Sequence, residues 1–172
     1  SLCSASARAD ECSIGRDELV QGVINEGQTF TAALRDGVFD ENPNAALKIM
    51  QHYCDMPFTL GSNRTFDTNG EEHNGPFMTF KGAITADLDI IKVQGTQVGS
   101  LSGIIYEAFY DNSYNIKSSV DVHEKYHVND PLYDGLREKR AYLAEKNSPI
   151  FYKCSKRYRD NVNNILKNDE YK

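Results

Sequence analysis

The chain has 172 residues, 40% of them hydrophobic, and a formal net charge of −6. This length and composition suit one domain with its own core, so we predict a single domain over residues 1–172 and exclude a globally disordered chain. No run approaches 18 consecutive apolar residues, so the sequence predicts no membrane span.

The charge is divided unevenly along the chain. Residues 1–134 carry 20 acidic and 9 basic side chains, whereas residues 135–172 carry 5 acidic and 10 basic ones. The acidic body would repel phosphates, so the charge argues against nucleic acid as a partner. The basic C-terminal segment can dock on an acidic surface, including the body of a second copy, so a homodimer is possible.

Two helices are predicted near the N-terminus. Apolar residues recur at spacings of three and four over 16–36, which predicts an amphipathic helix that ends at Gly37. Gly22 and Gly27 disfavour its interior. A second helix is predicted over 43–54, because Pro43 suits a first helical turn.

The middle of the chain predicts turns and strands. Residues 61–76 are polar and rich in Gly, Asn and Asp, which indicates a surface loop. The stretch 77–98 is ambiguous between strand and short helix. Residues 103–110 and 114–128 read as two strands of a hairpin.

Two further helices are predicted at the C-terminus, over 131–146 and from 149 to about 167, and they form a helical pair over 131–167. Helices at both ends with strands between them indicate an α+β fold, in which an antiparallel sheet packs with the N-terminal helices and the two C-terminal helices.

One motif has the spacing of a metal site. His123, Glu124 and His127 lie in the sequence HEKYH, which matches H-E-x-x-H and resembles the zincin metalloproteases. On a helix this spacing places two imidazoles on one face to hold Zn²⁺, with the glutamate polarising a water. A third ligand would have to be added, with Glu138 and Glu145 as the available carboxylates.

The local pattern favours a strand instead. Apolar residues alternate with polar ones from Ile116 to Val128, which is the period of a half-buried strand. At about 3.3 Å per residue, His123 and His127 would then lie roughly 13 Å apart. We therefore interpret both as surface histidines that share no metal, and we predict no cofactor.

Two aspartates are candidate general bases. Asp87 and Asp89 flank the apolar Leu88 and precede Ile90. A carboxylate that faces a pocket at this point would have a raised pKa and could accept a proton, whereas on the far face it would be solvated.

The cysteines bear on the cellular compartment. Cys3, Cys12, Cys54 and Cys154 are dispersed and form no CxxC pair, which suits two disulfides in an oxidising compartment and therefore a secreted or periplasmic protein. One bond would tie the extended segment 1–13 to a later element. The alternative is four free thiols.

Two short motifs also indicate an exported protein. Ala7-Arg8-Ala9 is typical of the end of a secretory leader, which predicts that residues 1–9 are the remnant of one. Asn63-Arg64-Thr65 is an N-glycosylation sequon.

The last predicted helix has a basic face. Lys153, Lys156, Arg157 and Arg159 interleave with tyrosines. Because the aromatic residues fit the buried stripe, we predict that the four cations form a surface for docking a partner.

Two phrases of the N-terminal half resemble the opening of NTF2-like proteins. They are FTAALRDG at 30–37 and YCDMPFTL at 53–60, where a helix leads to a second helix and an edge strand. The resemblance covers residues 16–128 and implies a curved antiparallel sheet around a cone. The cone encloses a ligand pocket or a core, and enzymatic members use a carboxylate or histidine with a tyrosine.

Three functions follow in order. The cysteine pattern and the absent catalytic signatures favour an exported, disulfide-stabilised, non-enzymatic protein that binds a protein partner or small ligand. The first alternative is a small NTF2-like enzyme with Asp87 or Asp89 as general base. The second is a zinc-dependent hydrolase that uses HEKYH.

Overall fold

The computed structural model describes residue 14 and residues 17–24, 27–96 and 108–167. These residues form α helices, short strands, two 3₁₀ turns and one π-helix. In chain order they are α1 Glu18–Gln21, α2 Phe30–Arg35, α3 Pro43–His52, β1 Thr59–Leu60, β2 Thr65–Phe66, β3 Glu72–His73, β4 Phe77–Phe80, β5 Ala83–Ala86, α4 Leu88–Thr96, a 3₁₀ turn Phe109–Asp111, α5 Ser113–Lys117, the π-helix Ser118–Glu124, α6 Lys125–Asn129, α7 Arg137–Lys146, a 3₁₀ turn Phe151–Lys153 and α8 Lys156–Lys167.

The predicted N-terminal helix is divided in two. Helix α1 ends at Gln21, and Gly27 has a φ of 74°, in the left-handed region that glycine adopts without strain. Helix α2 then begins anew, with the Thr29 hydroxyl accepting a hydrogen bond from the amide N of Ala32 at 3.1 Å. The second predicted helix is confirmed as α3, with Pro43 in its first turn.

Two small sheets lie between the helices. The first has the order β1-β5-β4, with β1 parallel to β5 and β4 antiparallel to β5. Lys81 and Gly82 both have positive φ, as a tight turn between β4 and β5 requires. Strands β2 and β3 form a separate hairpin within the predicted loop 61–76.

The predicted strand over 114–128 is wrong. Residues 113–129 form α5, the π-helix and α6 in direct succession, and the Asn112 side chain caps the first turn by accepting from the amide N of Tyr114 at 2.8 Å. Because this segment is helical, the predicted hairpin with residues 103–110 does not form. Residues 103–107 lie outside the described part of the chain, and residues 109–111 form a 3₁₀ turn.

The inner face of this segment explains the error. Its buried positions include Ile116, Val120, His123, Glu124 and His127, at helical spacing. Three of these five are polar, so a pattern of hydrophobic residues alone misses the stripe. Tertiary packing outweighed the strand preference of the β-branched residues.

The two C-terminal helices are confirmed as α7 and α8, but α7 begins at Arg137 rather than at 131 and α8 begins at Lys156 rather than at 149. Together with the N-terminal helices and the small mixed sheet they make an α+β fold, as the sequence predicts. The main core lies between α2, α3, α4, β4, β5 and the helical segment 113–129. Its fully buried side chains include Phe30, Met50, Ile91, Ile116 and Val120. A smaller hydrophobic cluster around Cys154, Tyr158 and Val162 packs α8 against the rest of the fold.

Candidate metal centre

Three side chains from three successive helical elements converge on one point. His123 lies in the last turn of the π-helix, His127 lies one turn later in α6, and Glu138 lies in the first turn of α7. The two imidazole Nε2 atoms are 3.2 Å apart. Glu138 Oε1 lies 2.7 Å from His127 Nε2, and its Oε2 lies 3.2 Å from His123 Nε2. The predicted separation of about 13 Å between the histidines is therefore wrong.

This geometry fits a tetrahedral zinc ion. Zn²⁺ binds imidazole nitrogen and carboxylate oxygen at about 2.0–2.2 Å, which places neighbouring ligand atoms roughly 3.3 Å apart. The three donor atoms already lie within 4.8 Å of one another. Two imidazoles that face each other through Nε2 can share only one proton, whereas a cation would satisfy both lone pairs and the carboxylate. Two histidines and one glutamate are the three-ligand set of catalytic rather than structural zinc sites.

The carboxylate of the motif lies beside this donor set. Glu124 is buried, and its Oε2 accepts a hydrogen bond from the Thr79 hydroxyl at 2.6 Å. Burial raises the pKa of Glu124, while His123 and the Thr79 hydrogen bond act against that rise. The group therefore suits proton exchange nearer neutral pH than a solvated glutamate does.

A buried hydrogen-bond network orients the His123 ring through its Nδ1 atom. Glu145 Oε2 accepts from His123 Nδ1 at 3.0 Å, and its Oε1 accepts from the Ser118 hydroxyl at 2.7 Å and from the Tyr158 hydroxyl. Burial, together with the charge of Glu145, raises the pKa of Tyr158, so its hydroxyl keeps its proton and donates it. With Nδ1 donating to Glu145, His123 directs Nε2 to the metal position, where metal binding would release the proton that Nε2 shares with Glu138.

His127 is held through its backbone instead. Its Nδ1 has no hydrogen-bond partner among the described residues. The Arg137 guanidinium donates to the His127 carbonyl O at 2.8 Å and to the Asp130 carbonyl O at 2.9 Å. Arg137 directly precedes Glu138 in the sequence, so these contacts hold the first turn of α7 against the end of α6.

Glu138 is influenced by both imidazoles. Desolvation alone would raise the pKa of its carboxyl group, but the hydrogen bonds from His123 and His127 hold that pKa well below its usual range. The carboxyl group is therefore ionised at neutral pH, as a metal ligand must be.

The predicted general bases lie elsewhere. Asp87 is buried, but its carboxylate accepts from the amide N of Asn63 at 3.0 Å and from those of Asp89 and Ile90 at 3.1 and 3.3 Å. These bonds cap α4 and tie it to the loop before β2. Asp89 is exposed. Neither aspartate borders the cavity beside the metal centre.

The predicted docking face is partly used within the chain. Lys153 lies 5.4 Å from the ring centre of Tyr114, and Lys156 pairs with Asp160 at 2.6 Å. Arg159 donates to the carbonyl O of Tyr152 at 2.9 Å. Arg157 is exposed on α8.

The two cysteines that the structure describes are in the thiol form. Cys54 and Cys154 form no disulfide with each other. The sulfur of Cys154 is buried and donates to the carbonyl O of Tyr114 at 3.4 Å. Cys3 and Cys12 lie outside the described residues, as does segment 1–13 with its predicted disulfide tie and leader remnant. Export stays a prediction.

The sequon asparagine is not presented to solvent. Asn63 is 5% exposed, and its Nδ2 donates to the carbonyl O atoms of Gly75 at 3.2 Å and Thr85 at 3.0 Å. A glycan on Nδ2 requires this loop to leave its folded position. Within the described part of the chain, the helices are too short and too polar to cross a membrane.

Sequence reasoning noticed the motif but set it aside as a strand with surface histidines, and it missed the residues that support the site. The motif and both candidate third ligands were visible, whereas Thr79, Ser118 and Tyr158 come from elements that carry no motif. Comparison with protein-family models, with curated proteins and with solved structures found no match. The NTF2-like resemblance therefore stays a prediction.

Proposed function

We propose that the protein is a zinc-dependent hydrolase that cleaves peptide bonds. The observation that carries this proposal is the convergence of His123, His127 and Glu138 beside the buried carboxylate of Glu124. A bound Zn²⁺ supplies a Lewis acid, which polarises a carbonyl and lowers the pKa of water to about 7.

The residues of the chain supply the proton transfers. Thr79 occupies one oxygen of Glu124, which leaves the other oxygen to accept a proton from the attacking water. Glu124 then returns this proton to the leaving amine, so one carboxyl group acts first as base and then as acid. Glu145 keeps His123 in the tautomer that presents Nε2.

The edge strand beside the centre supports a peptide as substrate. Strand β4 lies at the end of the β1-β5-β4 sheet and pairs only with β5 within the described residues. Thr79 belongs to β4 and touches Glu124. An extended peptide that hydrogen-bonds to the outer edge of β4 would thus run past the catalytic carboxylate.

Metal binding is tested first. Native mass spectrometry of the full chain with added Zn²⁺ is expected to show one tightly bound ion. H123A, H127A and E138A should each lose it, while H52A, at an exposed histidine of α3, should keep it. Equal zinc binding by all four variants would overturn the site.

Catalysis is tested second. The zinc-loaded protein should cleave an unfolded protein substrate, and E124Q should bind zinc normally but lose at least about 100-fold in kcat, the lower range of a general acid–base contribution. E41Q, at an exposed glutamate, is the matched control. Full activity of E124Q would exclude the proposed mechanism.

A further inference from the structure

A chain of hydroxyl groups runs from the cavity beside the candidate metal centre to the ligand His123. The cavity has a volume of about 540 Å³, and its lining includes Tyr110, Ser119, Tyr158 and Glu145. Ser119 Oγ lies 2.6 Å from the Tyr158 hydroxyl O, and the Tyr158 hydroxyl donates to Glu145 Oε1. The other oxygen of Glu145 accepts from His123 Nδ1 at 3.0 Å. Three hydrogen bonds therefore connect Ser119 to a metal ligand.

The direction of these hydrogen bonds follows from the acceptor at their end. An ionised carboxylate only accepts, so Tyr158 gives its one proton to Glu145, and Ser119 must donate to the Tyr158 oxygen. Tyr110 also hydrogen-bonds to Ser119, and it is the donor because the Ser119 proton is already used. The Tyr110 hydroxyl also lies 3.5 Å from Gln94 Oε1, which is long for an O–H···O bond. Every donor in the chain thus points toward Glu145, and successive hydrogen bonds of this kind polarise one another.

The two adjacent serines of the π-helix have different partners. Ser118 donates directly to Glu145 at 2.7 Å, whereas Ser119 contacts Tyr158. A π-helix has more residues per turn than an α-helix, so successive side chains lie closer together around its axis and both can face the network. Ser118 belongs to the same helical segment as His123, but Tyr158 lies on α8. Tyr158 therefore fixes the Glu145 carboxylate to a separate element of the fold.

We infer that Ser119 and Tyr158 are positioning residues of the metal centre, which act on His123 through Glu145. Ser119 orients the Tyr158 hydroxyl, Tyr158 holds the Glu145 carboxylate, and that carboxylate holds the His123 ring. Outer partners of a metal ligand set its orientation and thereby the metal affinity. The inference rests on the proposed zinc site and adds to it two residues from outside the HEKYH motif.

The first experiment measures zinc affinity of the full chain by competition with a chelator. Y158F keeps the ring but should lose at least about 10-fold, the lower range for an outer partner. S119A should lose about 3- to 10-fold, the range of one neutral hydrogen bond. Y152F, at a tyrosine that is 68% exposed, should match the parent protein. Parental affinity in either Y158F or S119A would overturn the inference and leave the proposed hydrolase intact, whereas a parent protein that binds no zinc would overturn both.

The second experiment separates a chain from two independent contacts. If Ser119 acts only through Tyr158, the double variant S119A/Y158F should bind zinc as weakly as Y158F alone. Losses that multiply would show independent contacts and overturn the inference. S119T keeps the hydroxyl and should bind zinc like the parent protein, so a loss equal to that of S119A would also overturn it.

A spectroscopic measurement reports on the ring itself. In the zinc-loaded chain, NMR should show the His123 Nδ1 proton exchanging with water faster in S119A and Y158F than in Y152F. The reason is that a less firmly held Glu145 protects this proton less. Equal exchange in the three variants would overturn the positioning role, even if zinc affinity changes.

Discussion

The two halves of the protein bury side chains of different polarity. The N-terminal helices and the sheet enclose an apolar interior around Phe30, Met50 and Ile91. The C-terminal helices bury imidazoles, carboxylates and hydroxyls around His123 and Glu145. Apolar burial is non-directional, so hydrophobic spacing can indicate which side chains enter the core of the first region. Polar burial requires each group to meet a specific partner, so the second region depends on long-range contacts.

The largest expected effect lies in the apolar region. Phe30 is fully buried, so F30A should lower the free energy of unfolding by about 3–5 kcal/mol through lost transfer energy and a cavity. Phe66 is 69% exposed, and F66A should change it by less than about 0.5 kcal/mol. Urea unfolding measures the free energy of unfolding of both variants. Similar losses for F30A and F66A would contradict the burial of Phe30.

In the polar region, the expected effect is on metal affinity. E145A removes the acceptor for His123, Ser118 and Tyr158 and should weaken zinc binding by about 10- to 100-fold, as loss of such an outer partner does. Competition with a chelator measures the zinc affinity. E41A, on the surface, should leave the affinity unchanged. Equal zinc affinities of E145A and E41A would refute the positioning role of Glu145.

A smaller effect is expected at the contact between the two regions. T79V removes the hydroxyl that donates to Glu124, and we expect kcat to fall by about 10-fold, which corresponds to one hydrogen bond to a charged group. Zinc content should not change. T79S retains the hydroxyl donor and should have the kcat of the parent protein. If the kcat of T79S is as low as that of T79V, loss of the hydrogen bond to Glu124 does not explain the effect of T79V.

The smallest effect concerns the acid stability of the loop between α6 and α7. A backbone hydrogen bond from Leu132, followed by the Arg140 guanidinium, lowers the pKa of Asp130 below its ordinary value. The stabilisation is therefore present above the unfolded pKa of about 3.9 and is lost as the pH falls through the lower folded value. D130N should lower the urea midpoint at pH 6.5 and flatten its decline below about pH 4.

The control for this acid effect is D160N, which breaks the exposed pair with Lys156. Exposed pairs contribute little, so its urea midpoint should stay close to that of the parent protein at each pH. If D130N and D160N behave alike, the loop contacts do not account for the acid sensitivity.

Elements with a regular apolar stripe were predictable. Helix α3 begins at Pro43, where proline predicts it, and the Tyr158 and Val162 stripe of α8 is buried as its spacing predicts. Helices α7 and α8 begin later than Pro131 and Pro149 predict, and Leu143 of α7 is exposed. The segment 113–129 was not predictable in this way, since its buried face combines Ile116 and Val120 with His123, Glu124 and His127. The π-helix adds a further departure from a regular helical period.

The sequence by itself determined the α+β class, the HEKYH spacing and the availability of Glu138 and Glu145 as further carboxylates. Only the tertiary structure decided that the motif is helical, that Glu138 faces the metal position while Glu145 supports His123, and that Thr79 reaches Glu124. The physical reason is that a buried polar group is stable only where distant elements supply its partners, and those partners leave no local pattern in the chain.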